Sequence, residues 1–362
     1  MPKKKIVIAA GGTGGHIFPA IGLAEQLAAL TDAPDLLFAA GGLATNRYFD
    51  RSQFDFQEIA CAPLLSKHPL KLLKGLYKLG LGTKQACKLI DTFKADLVVA
   101  FGSFYTVPIL LAAKLKKVPF ILHEANSIPG KANRWFAPYA AAVGVHFSYT
   151  ANSLKGNVYE VGMPLRAGFK RENVSKQAAL DYYGFNPHDP VLLIFGGSQG
   201  AQAINRWVEQ CQLPVVQVLH FTGSGKDVDR YVSHYRSRGL KAVVKPFESE
   251  MQKAWGCADL FLARAGAATI AEAIEFEVPG VLIPFPYATD NHQELNARFL
   301  VEKVGSAYKF QESDLTSTLL SDALQKVLID GELLQQNVKT FKARPHQLDL
   351  CKLVLNHLGN GS

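Results

Sequence analysis

The chain has 362 residues, about twice what one compact core usually organises, so two domains are expected. Hydrophobic residues make up 48% and charged residues 19%, an ordinary globular composition that excludes a disordered, collagen-like or coiled-coil chain. The net charge of +8 is uneven, because residues 1–166 carry 19 basic and 10 acidic side chains while the remainder carries 20 and 21. A basic first half favours an anionic partner such as phosphate, nucleic acid or a membrane surface.

The cysteines and the start of the chain also narrow the class of protein. The five cysteines lie far apart, with no C-x-x-C pair, so we expect neither a zinc site nor a disulfide framework, and a reducing cytoplasm fits. The basic opening Met1–Lys5 is followed only by the short apolar run Ile6–Ala10, which is too short for a signal peptide. No run of 18 apolar residues occurs, so no membrane-spanning segment is expected.

Short β-rich runs alternate with helical stretches along the whole chain. This order predicts an α/β fold with parallel sheets and crossover helices. The predicted strands are Lys5–Ala9, Leu36–Ala40, Leu97–Phe101, Phe120–Leu122, Val191–Phe195, Val215–His220, Ala242–Lys245, Leu260–Ala263 and Gly280–Ile283.

Each half of the chain opens with a strand that runs into a glycine-rich turn, Gly11–His16 in the first half and Gly196–Gly200 in the second. Two such openings predict two Rossmann-like, doubly wound domains that face a central cleft. We place the first domain at 1–163 and the second at 164–345, and we expect a last helix in 346–362 to pack back on the first domain.

A glycine turn between a strand and a helix exposes backbone N–H groups at the positive end of the helix, which suits a phosphate group. Such a turn can equally be only a tight connection. Gly223–Lys226 is followed by Asp227, so the hydroxyl of a Walker A loop is missing. Ile17 stands where a dinucleotide fingerprint has its third glycine, so a P-loop kinase and a nicotinamide dehydrogenase are both disfavoured.

His16 follows the first turn at a helix start. A neutral imidazole there suits a general base, because the ordinary pKa of histidine is close to working pH. The alternative is a histidine that only caps or packs against the helix.

A set of motifs in a fixed order resembles the MurG family of N-acetylglucosaminyltransferases, within glycosyltransferase family 28. The resemblance covers essentially the whole chain, and the ordered set is far more specific than any one motif. The motifs are Gly11–Ala20, His123–Asn126, Gly162–Arg166, Gly196–Ala201, Arg264–Glu272, Pro284–Pro286 and Asp290–Ala297.

The resemblance implies the GT-B fold, with the nucleotide-sugar donor in the second domain and a lipid-linked acceptor on the first. It implies inverting transfer of N-acetylglucosamine from UDP to the 4-hydroxyl of the muramoyl-pentapeptide of undecaprenyl-diphosphate-linked lipid I. The product, lipid II, serves peptidoglycan synthesis, so cell-wall biogenesis, cell shape and division are the implied processes. The implied location is peripheral, at the cytoplasmic face of the plasma membrane.

The chain departs from the family at the acceptor side. Phe101–Pro108 has fewer glycines than the family's second glycine-rich loop, Ala125 stands where a glutamine is common, and Met163 where an asparagine is common. These changes affect the expected contacts to the acceptor diphosphate.

Inverting displacement needs a base for the attacking hydroxyl and donors for the leaving UDP. By resemblance, His16 is the predicted base and Glu124 the weaker candidate, with a structural ion pair as the alternative for Glu124. The residues predicted at the acceptor diphosphate are Gly11, Gly12, Gly102 and Ser103.

The predicted donor site combines glycine turns, one arginine, one acid and several amides. Glu272 matches the family residue that accepts from the ribose hydroxyls, since a carboxylate offers only acceptors. Arg166 supplies a fixed positive charge, and the amides have surface or capping roles as the alternative. The full predicted set is Thr13, Gly14, Gly15, Asn126, Arg166, Ser198, Ala267, Ala268, Thr269, Glu272, Gln293 and Asn296.

Asp227 and Asp229 form a D-x-D pair, a manganese-binding pattern in other glycosyltransferases. On a helix, residues two apart diverge by about 200° and cannot share an ion. No directly bound metal or cofactor is therefore predicted, with UDP-N-acetylglucosamine as a substrate and a divalent ion on the free diphosphate left open.

The segment Lys67–Lys88 holds six lysines and no acid. Cationic and apolar stripes lie side by side at helical spacing, which suits an anionic membrane surface. The alternative is a helix that buries its leucines in the core. The residues assigned to membrane contact are Lys71, Leu72, Lys74, Leu76, Lys78 and Leu79.

Three competing functions stay open: a glycolipid synthase that uses UDP-hexose and diacylglycerol, a non-hydrolysing UDP-N-acetylglucosamine epimerase, and a non-catalytic nucleotide-sugar-binding module. The expected partners are UDP-N-acetylglucosamine, lipid I, the anionic membrane surface and other cell-wall synthesis enzymes. Nucleic-acid binding is disfavoured, because the lysines are interleaved with aliphatic residues and only Tyr77 could stack on a base.

Overall fold

The chain folds into two compact units. The computed structural model describes residues 3–62, 69–197, 200–344 and 348–359. One unit comprises Met1–Ala167 with His346–Ser362, and the other comprises Gly168–Pro345. The first unit thus includes residues 164–167, which the sequence placed in the second domain.

The first unit is built on a parallel seven-stranded sheet with the strand order β3-β2-β1-β4-β5-β6-β7. Its strands are β1 Lys5–Ala9, β2 Asp35–Ala40, β3 Phe56–Glu58, β4 Leu97–Ala100, β5 Phe120–Glu124, β6 Ala142–Val145 and β7 Val158–Glu160. Its helices before the crossing to the second unit are α1 Gly14–Ala28, α2 Pro69–Phe93, α3 Val107–Lys116 and α4 Lys131–Phe136.

The second unit holds a parallel six-stranded sheet with the order β10-β9-β8-β11-β12-β13. Its strands are β8 Val191–Phe195, β9 Gln217–Phe221, β10 Ala242–Lys245, β11 Leu260–Ala263, β12 Gly280–Leu282 and β13 Ala307–Lys309. Its helices are α5 Lys176–Tyr183, α6 Gln202–Gln210, α7 Val228–Ser237, α8 Met251–Cys257, α9 Ala267–Phe276, α10 His292–Arg298, α11 Ser317–Ile329 and α12 Gly331–Lys342.

The cores follow from side-chain alternation along the strands, which sends neighbouring residues to opposite faces of a sheet. In β1, Ile6 and Ile8 join the buried cluster under α1, while Val7 joins the cluster on the opposite face. The last helix, α13 Leu350–Gly359, packs within the first unit, where Leu353 and Val354 are buried in the same cluster as Ile6.

The predicted α/β architecture with parallel sheets is confirmed by this strand order. The sequence missed β3, β6, β7 and β13. Three of these are edge strands of only three residues, two of them half exposed, and β6 is an Ala/Gly-containing segment without a β-branched run. Short strands of this kind are formed by pairing with an existing sheet, so local pattern does not reveal them.

Helix α2 approaches the loop after β3 closely at one glycine. A Cβ atom at Gly82 would lie 1.9 Å from the carbonyl oxygen of Ala60, and Gln85 Oε1 accepts from the Ala60 N–H at 2.8 Å. A Cβ at Gly80, one half-turn earlier, would meet no atom within 4 Å. Alanine substitutions at these two glycines of one helix can therefore be compared directly, because only Gly82 lies against another segment.

We predict that Gly82→Ala lowers the free energy of unfolding by about 1–3 kcal/mol, because a backbone atom must move to admit the methyl group. Gly80→Ala should raise it by roughly 0.5–1 kcal/mol, since alanine favours an exposed helix position over glycine. Chemical denaturation followed by circular dichroism measures both. Equal changes in the free energy of unfolding of the two variants would show that α2 does not approach Ala60 closely at Gly82.

Candidate active-site residues

The first glycine turn lies at the carboxyl end of β1. Gly12 has a φ of 90°, a left-handed conformation that favours glycine, and Thr13 precedes the first residue of α1. Thr13 and Gly15 are exposed, and His16 is half-buried, with Nδ1 3.4 Å from Thr13 Oγ1. His16 is therefore held at the start of α1 beside a turn that exposes backbone N–H groups.

A second turn, after β4, packs against the first. Gly102 and Ser103 both have positive φ, 79° and 70°. A Cβ at Gly12 would lie 3.2 Å from the Tyr105 ring and 3.5 Å from Ser103 Oγ, so the two turns touch. The structure thus brings together the predicted acceptor-diphosphate residues Gly11, Gly12, Gly102 and Ser103.

Glu124, at the end of β5, is buried in a hydrogen-bond network. Its Oε1 accepts from the Asn126 N–H at 2.9 Å, and its Oε2 accepts from the Gly130 N–H at 2.9 Å and Asn133 Nδ2 at 2.8 Å. Burial raises the pKa of the Glu124 carboxyl above its usual range, although these hydrogen bonds oppose the rise. These contacts indicate that Glu124 shapes the turn after β5. It does so through hydrogen bonds, whereas the structural alternative considered from the sequence was an ion pair.

His123 precedes Glu124 and is also buried. Its Nε2 lies 3.2 Å from the carbonyl oxygen of Gly162. Burial lowers the pKa of His123 to about 4, and charge on nearby His16 contributes to the lowering. His123 therefore stays neutral at working pH and leaves His16 as the half-exposed imidazole of this pair.

Two further predicted residues of the first unit flank the turns. The backbone of Asn126 takes part in the Glu124 network, and its side chain is half-buried. The Arg166 guanidinium stacks on the Phe18 ring at 4.3 Å, on the first turns of α1. These residues belong to the first unit, as do Thr13, Gly14 and Gly15, whereas the rest of the predicted donor set belongs to the second.

In the second unit, the turn after β8 leads into α6. Gly196 has no room for a side chain, because a Cβ would lie 2.1 Å from the Ala201 nitrogen. Gly200 packs against Gly223, where a Cβ would lie 2.8 Å from the Gly223 Cα. The predicted residue Ser198 lies outside the described residues.

Helix α9 begins at the carboxyl end of β11. The first N–H groups of a helix have no partner within it, so Ala267, Ala268 and Thr269 offer donors at the positive end of α9. Glu272, one turn further on, is half-buried, and its Oε2 accepts from Trp255 Nε1 at 2.7 Å. The sequence analysis missed Trp255, since a tryptophan on a separate helix carries no motif that links it to Glu272.

The two predicted amides of α10 differ in role. Gln293 Oε1 accepts from the Phe285 N–H at 2.9 Å and remains half-buried. Asn296 is fully buried, and its Nδ2 donates to the carbonyl oxygen of Ala265 at 3.0 Å, so it holds the loop before α9. For Asn296 this is the capping alternative that the sequence left open.

Arg264 also holds this loop. It is buried, donates to the carbonyl oxygens of Ile283 and Pro284 at 3.1 Å each, and forms a 2.6 Å ion pair with Glu312. The sequence quoted Arg264 only as the start of a motif. A buried arginine inside a glycine- and alanine-rich loop was the available signal, because such a group needs several fixed acceptors.

The D-x-D pair lies where a helix begins. Asp227 precedes α7 and Asp229 is exposed in its first turn. Across the described residues, no group of three or more His, Cys, Asp or Glu side chains could hold a metal ion. The absence of a directly bound metal stays a prediction.

The first half of α2 exposes apolar side chains. Leu70, Leu73 and Tyr77 are 70%, 63% and 72% exposed, and Leu72 and Leu76 are also exposed. Lys74 is exposed, Lys78 and Leu79 are half-buried, and the side chain of Lys71 lies outside the described residues. The first half of α2 therefore does not bury its leucines in the core, as the alternative interpretation expected. In the second half, Leu89 and Ile90 are buried.

No helix within the described ranges combines the length and the apolar character needed to cross a bilayer.

Comparison with known proteins identifies the family. Residues 6–145 match the glycosyltransferase family 28 N-terminal domain, and residues 191–349 match the family 28 C-terminal domain. The chain belongs to glycosyltransferase family 28. The predicted family and the prediction of a glycosyltransferase are thereby confirmed.

Individual family 28 members match over nearly their full length. A curated relative from Protochlamydia amoebophila is 50% identical over 98% of this chain and 96% of its own, and one from Halothermothrix orenii is 35% identical over 93% and 94%. Both are named UDP-N-acetylglucosamine–N-acetylmuramyl-(pentapeptide) pyrophosphoryl-undecaprenol N-acetylglucosamine transferase.

Solved structures agree on the fold. The crystal structure of MurG from Acinetobacter baumannii superposes with a TM-score of 0.74 at 28% identity and covers 98% of both chains. A UDP-glucosyltransferase from Polygonum tinctorium, at 13% identity and a TM-score of 0.71, shares the fold. The predicted GT-B class, with two Rossmann-like parallel-sheet domains, is confirmed.

The hydrogen bonds of Glu124 lead to a prediction about the stability of a Glu124→Gln variant. Glu124→Gln replaces one of two accepting carboxylate oxygens with an amide NH₂ that faces N–H donors, so the free energy of unfolding should fall by about 1–3 kcal/mol. The measurement is chemical denaturation alongside a pH–rate profile. Glu124→Gln should shift neither limb of that profile. Loss of one limb with unchanged stability would make Glu124 an acid–base catalyst.

Proposed function

We propose that this chain transfers N-acetylglucosamine from UDP-N-acetylglucosamine to the 4-hydroxyl of the muramoyl-pentapeptide of undecaprenyl-diphosphate-linked lipid I, with inversion, and so forms lipid II for peptidoglycan synthesis. The observation that carries the proposal is the 50% identity to a curated relative of that name over 98% of the chain. The proposed location is peripheral, at the cytoplasmic face of the plasma membrane.

Geometry within the first unit supports a role for His16 as the base. The half-buried imidazole adjoins the two touching glycine turns, while its neighbour His123 is buried and neutral. In the proposed step, His16 takes the proton of the 4-hydroxyl as the oxygen attacks C1 of the sugar. The bond between C1 and the diphosphate oxygen breaks, and its electron pair leaves with UDP.

Donors in the second unit support binding of the leaving group. The starts of α6 and α9 both present backbone N–H groups beyond the carboxyl ends of the neighbouring strands β8 and β11. Glu272 is proposed to accept from the ribose, with the Trp255 indole N–H fixing one of its oxygens. The donor roles of Thr13, Gly14, Gly15, Asn126, Arg166, Ser198 and Gln293, and the absence of a bound metal, remain predictions.

A transfer assay separates the proposed function from its competitors. Purified protein is incubated with radiolabelled UDP-N-acetylglucosamine and a lipid I analogue, and the expected product is a β-linked disaccharide lipid. Transfer from UDP-hexose to diacylglycerol instead would indicate a glycolipid synthase. Epimerised nucleotide sugar would indicate an epimerase, and UDP binding without turnover would indicate a binding module.

We predict that His16→Ala lowers kcat about 10²–10⁴-fold, the usual contribution of one positioned acid–base group. UDP affinity should change little, because the start of α9 and Glu272, which are proposed to bind the diphosphate and the ribose, lie in the second unit. The acidic limb of the pH–rate profile should disappear. His188→Ala, which removes an exposed histidine, is the control and should behave as the parent. A His16→Ala enzyme that keeps more than about a tenth of parental kcat would transfer the base role elsewhere.

Membrane contact through α2 is part of the proposal. The exposed leucines of its first half, together with exposed Lys74 and half-buried Lys78, suit insertion into an anionic leaflet, where each basic residue near the surface adds about 1 kcal/mol.

We predict that Lys74→Glu with Lys78→Glu reduces binding to phosphatidylglycerol-containing vesicles and its salt sensitivity. Turnover of a water-soluble, short-chain acceptor should change little. Lys84→Glu with Lys88→Glu, on the half of α2 that packs its apolar side chains inward, is the matched control. Equal losses in the two double variants would show only a nonspecific charge effect.

A further inference from the structure

A row of buried, hydrogen-bonded polar side chains lies next to the second unit's glycine turn. It consists of Tyr235 on α7, His220 on β9 and Asn205 on α6, and it ends at the backbone of Thr222. His220 and Tyr235 are fully buried, and Asn205 and Thr222 are 2% exposed. Buried polar groups are retained at a cost unless their hydrogen bonds are satisfied, so their arrangement is informative.

The hydrogen bonds along this row of side chains all run in one direction, with each donor closer to Tyr235 and each acceptor closer to Thr222. Asn205 Nδ2 donates to the Thr222 carbonyl oxygen at 3.0 Å, so Asn205 Oδ1 faces His220. His220 Nε2, 3.0 Å away, must then carry the hydrogen. His220 Nδ1 is left as an acceptor, and the Tyr235 hydroxyl donates to it at 2.9 Å.

The end of the row adjoins the turn that we assign to the donor diphosphate. Thr222 and Gly223 form the loop after β9, and Gly200 packs directly on them. A Cβ at Gly200 would lie 2.8 Å from the Gly223 Cα and 3.1 Å from the Thr222 carbonyl oxygen. That carbonyl oxygen is the one that Asn205 holds. The Thr222–Gly223 loop, held by Asn205, therefore packs directly against Gly200 of the glycine turn.

We infer that Tyr235, His220 and Asn205 form a positioning relay that fixes the Thr222–Gly223 loop and, through it, Gly200, which lies just before α6 in the turn proposed to bind the diphosphate of the donor. This inference rests on the proposed function. None of the three side chains is placed to touch UDP, since all are buried. Their effect on the reaction passes through the position of the turn.

The ionisation of the relay agrees with its geometry. Burial lowers the pKa of His220 to about 3, with charge on His234 as a smaller cause, so the imidazole stays neutral from pH 5 to 9. Burial also raises the pKa of Tyr235 well above its usual range, so its hydroxyl keeps the proton that it donates.

The first test is spectroscopic and needs no substrate. Nitrogen-15 chemical shifts of His220 in the full-length protein should show the neutral Nε2–H tautomer, unchanged from pH 5 to 9. Tyr235→Phe should keep this tautomer, because Asn205 Oδ1 still accepts from Nε2–H, but should shift the Nδ1 resonance, because Nδ1 no longer receives a hydrogen bond. An imidazolium or an Nδ1–H tautomer in the parent protein would overturn the relay.

The second test is functional and has a control on the same helix. Tyr235→Phe should weaken UDP binding in calorimetry, and raise the KM for UDP-N-acetylglucosamine, about three- to tenfold, the equivalent of one neutral hydrogen bond. The KM for the acceptor should not change. Tyr231→Phe removes a hydroxyl from a buried ring that packs on the same imidazole at 5.0 Å, and should leave both constants at the parental value.

The outcomes separate this inference from the proposed function. Equal UDP affinity in Tyr235→Phe and Tyr231→Phe, in a parent enzyme that transfers to lipid I, would overturn the relay alone. A parent that binds UDP but does not transfer would overturn the proposed function, while the calorimetric comparison would still decide the relay. Asn205→Ala should weaken UDP binding by more than tenfold; if it does not fold, the tyrosine pair still decides.

Discussion

The structure depends on the parallel arrangement of its strands. In a parallel sheet all the carboxyl ends lie at one edge, so every loop that follows a strand reaches that edge. In the first unit this rule brings the turn after β1 against the turn after β4, and places Glu124 at the end of β5. In the second unit it places the turn after β8, the loop after β9 and the start of α9 at the edge of one sheet.

The polar side chains near these edges divide into two kinds. Some are partly exposed and can reach a substrate, such as His16, Glu272 and Gln293. Others are buried and hold backbone, such as Asn296 on the loop before α9 and Glu124 on the turn after β5. The second kind fixes the loops at the cost of burying polar groups, which is offset only because each group is hydrogen-bonded. Preorganised loops are what stabilisation of a leaving diphosphate requires.

Much of the fold could be predicted because long buried strands have a clear local pattern. Val191–Phe195 and Leu260–Ala263 were located to the residue, whereas the three-residue edge strands β3 and β13 were missed. Edge strands gain their order from the neighbouring strand, and the sequence carries no matching hydrophobic run.

The candidate site was predictable by residue type but not by role. The motif that contains His16 placed it at the turn, and the structure agrees with that placement. The burial of Asn296 and the contact between Trp255 and Glu272 depend on helices distant in sequence, so no local spacing could distinguish a ligand-facing amide from a loop-holding one. His220 illustrates the same limit, since a histidine within a strand has no local feature that links it to Asn205 and Tyr235.

The measurement that tests the account most directly is amide hydrogen exchange of the full-length protein with and without UDP. Binding of the diphosphate at the carboxyl edge of the second sheet should slow exchange in Gly200–Ala201, Gly223–Ser224 and Gly266–Ile270. Exchange in Gly11–Ile17 should change little. Slowed exchange in Gly11–Ile17 with none in the three second-unit segments would contradict the assignment of the nucleotide to the second unit.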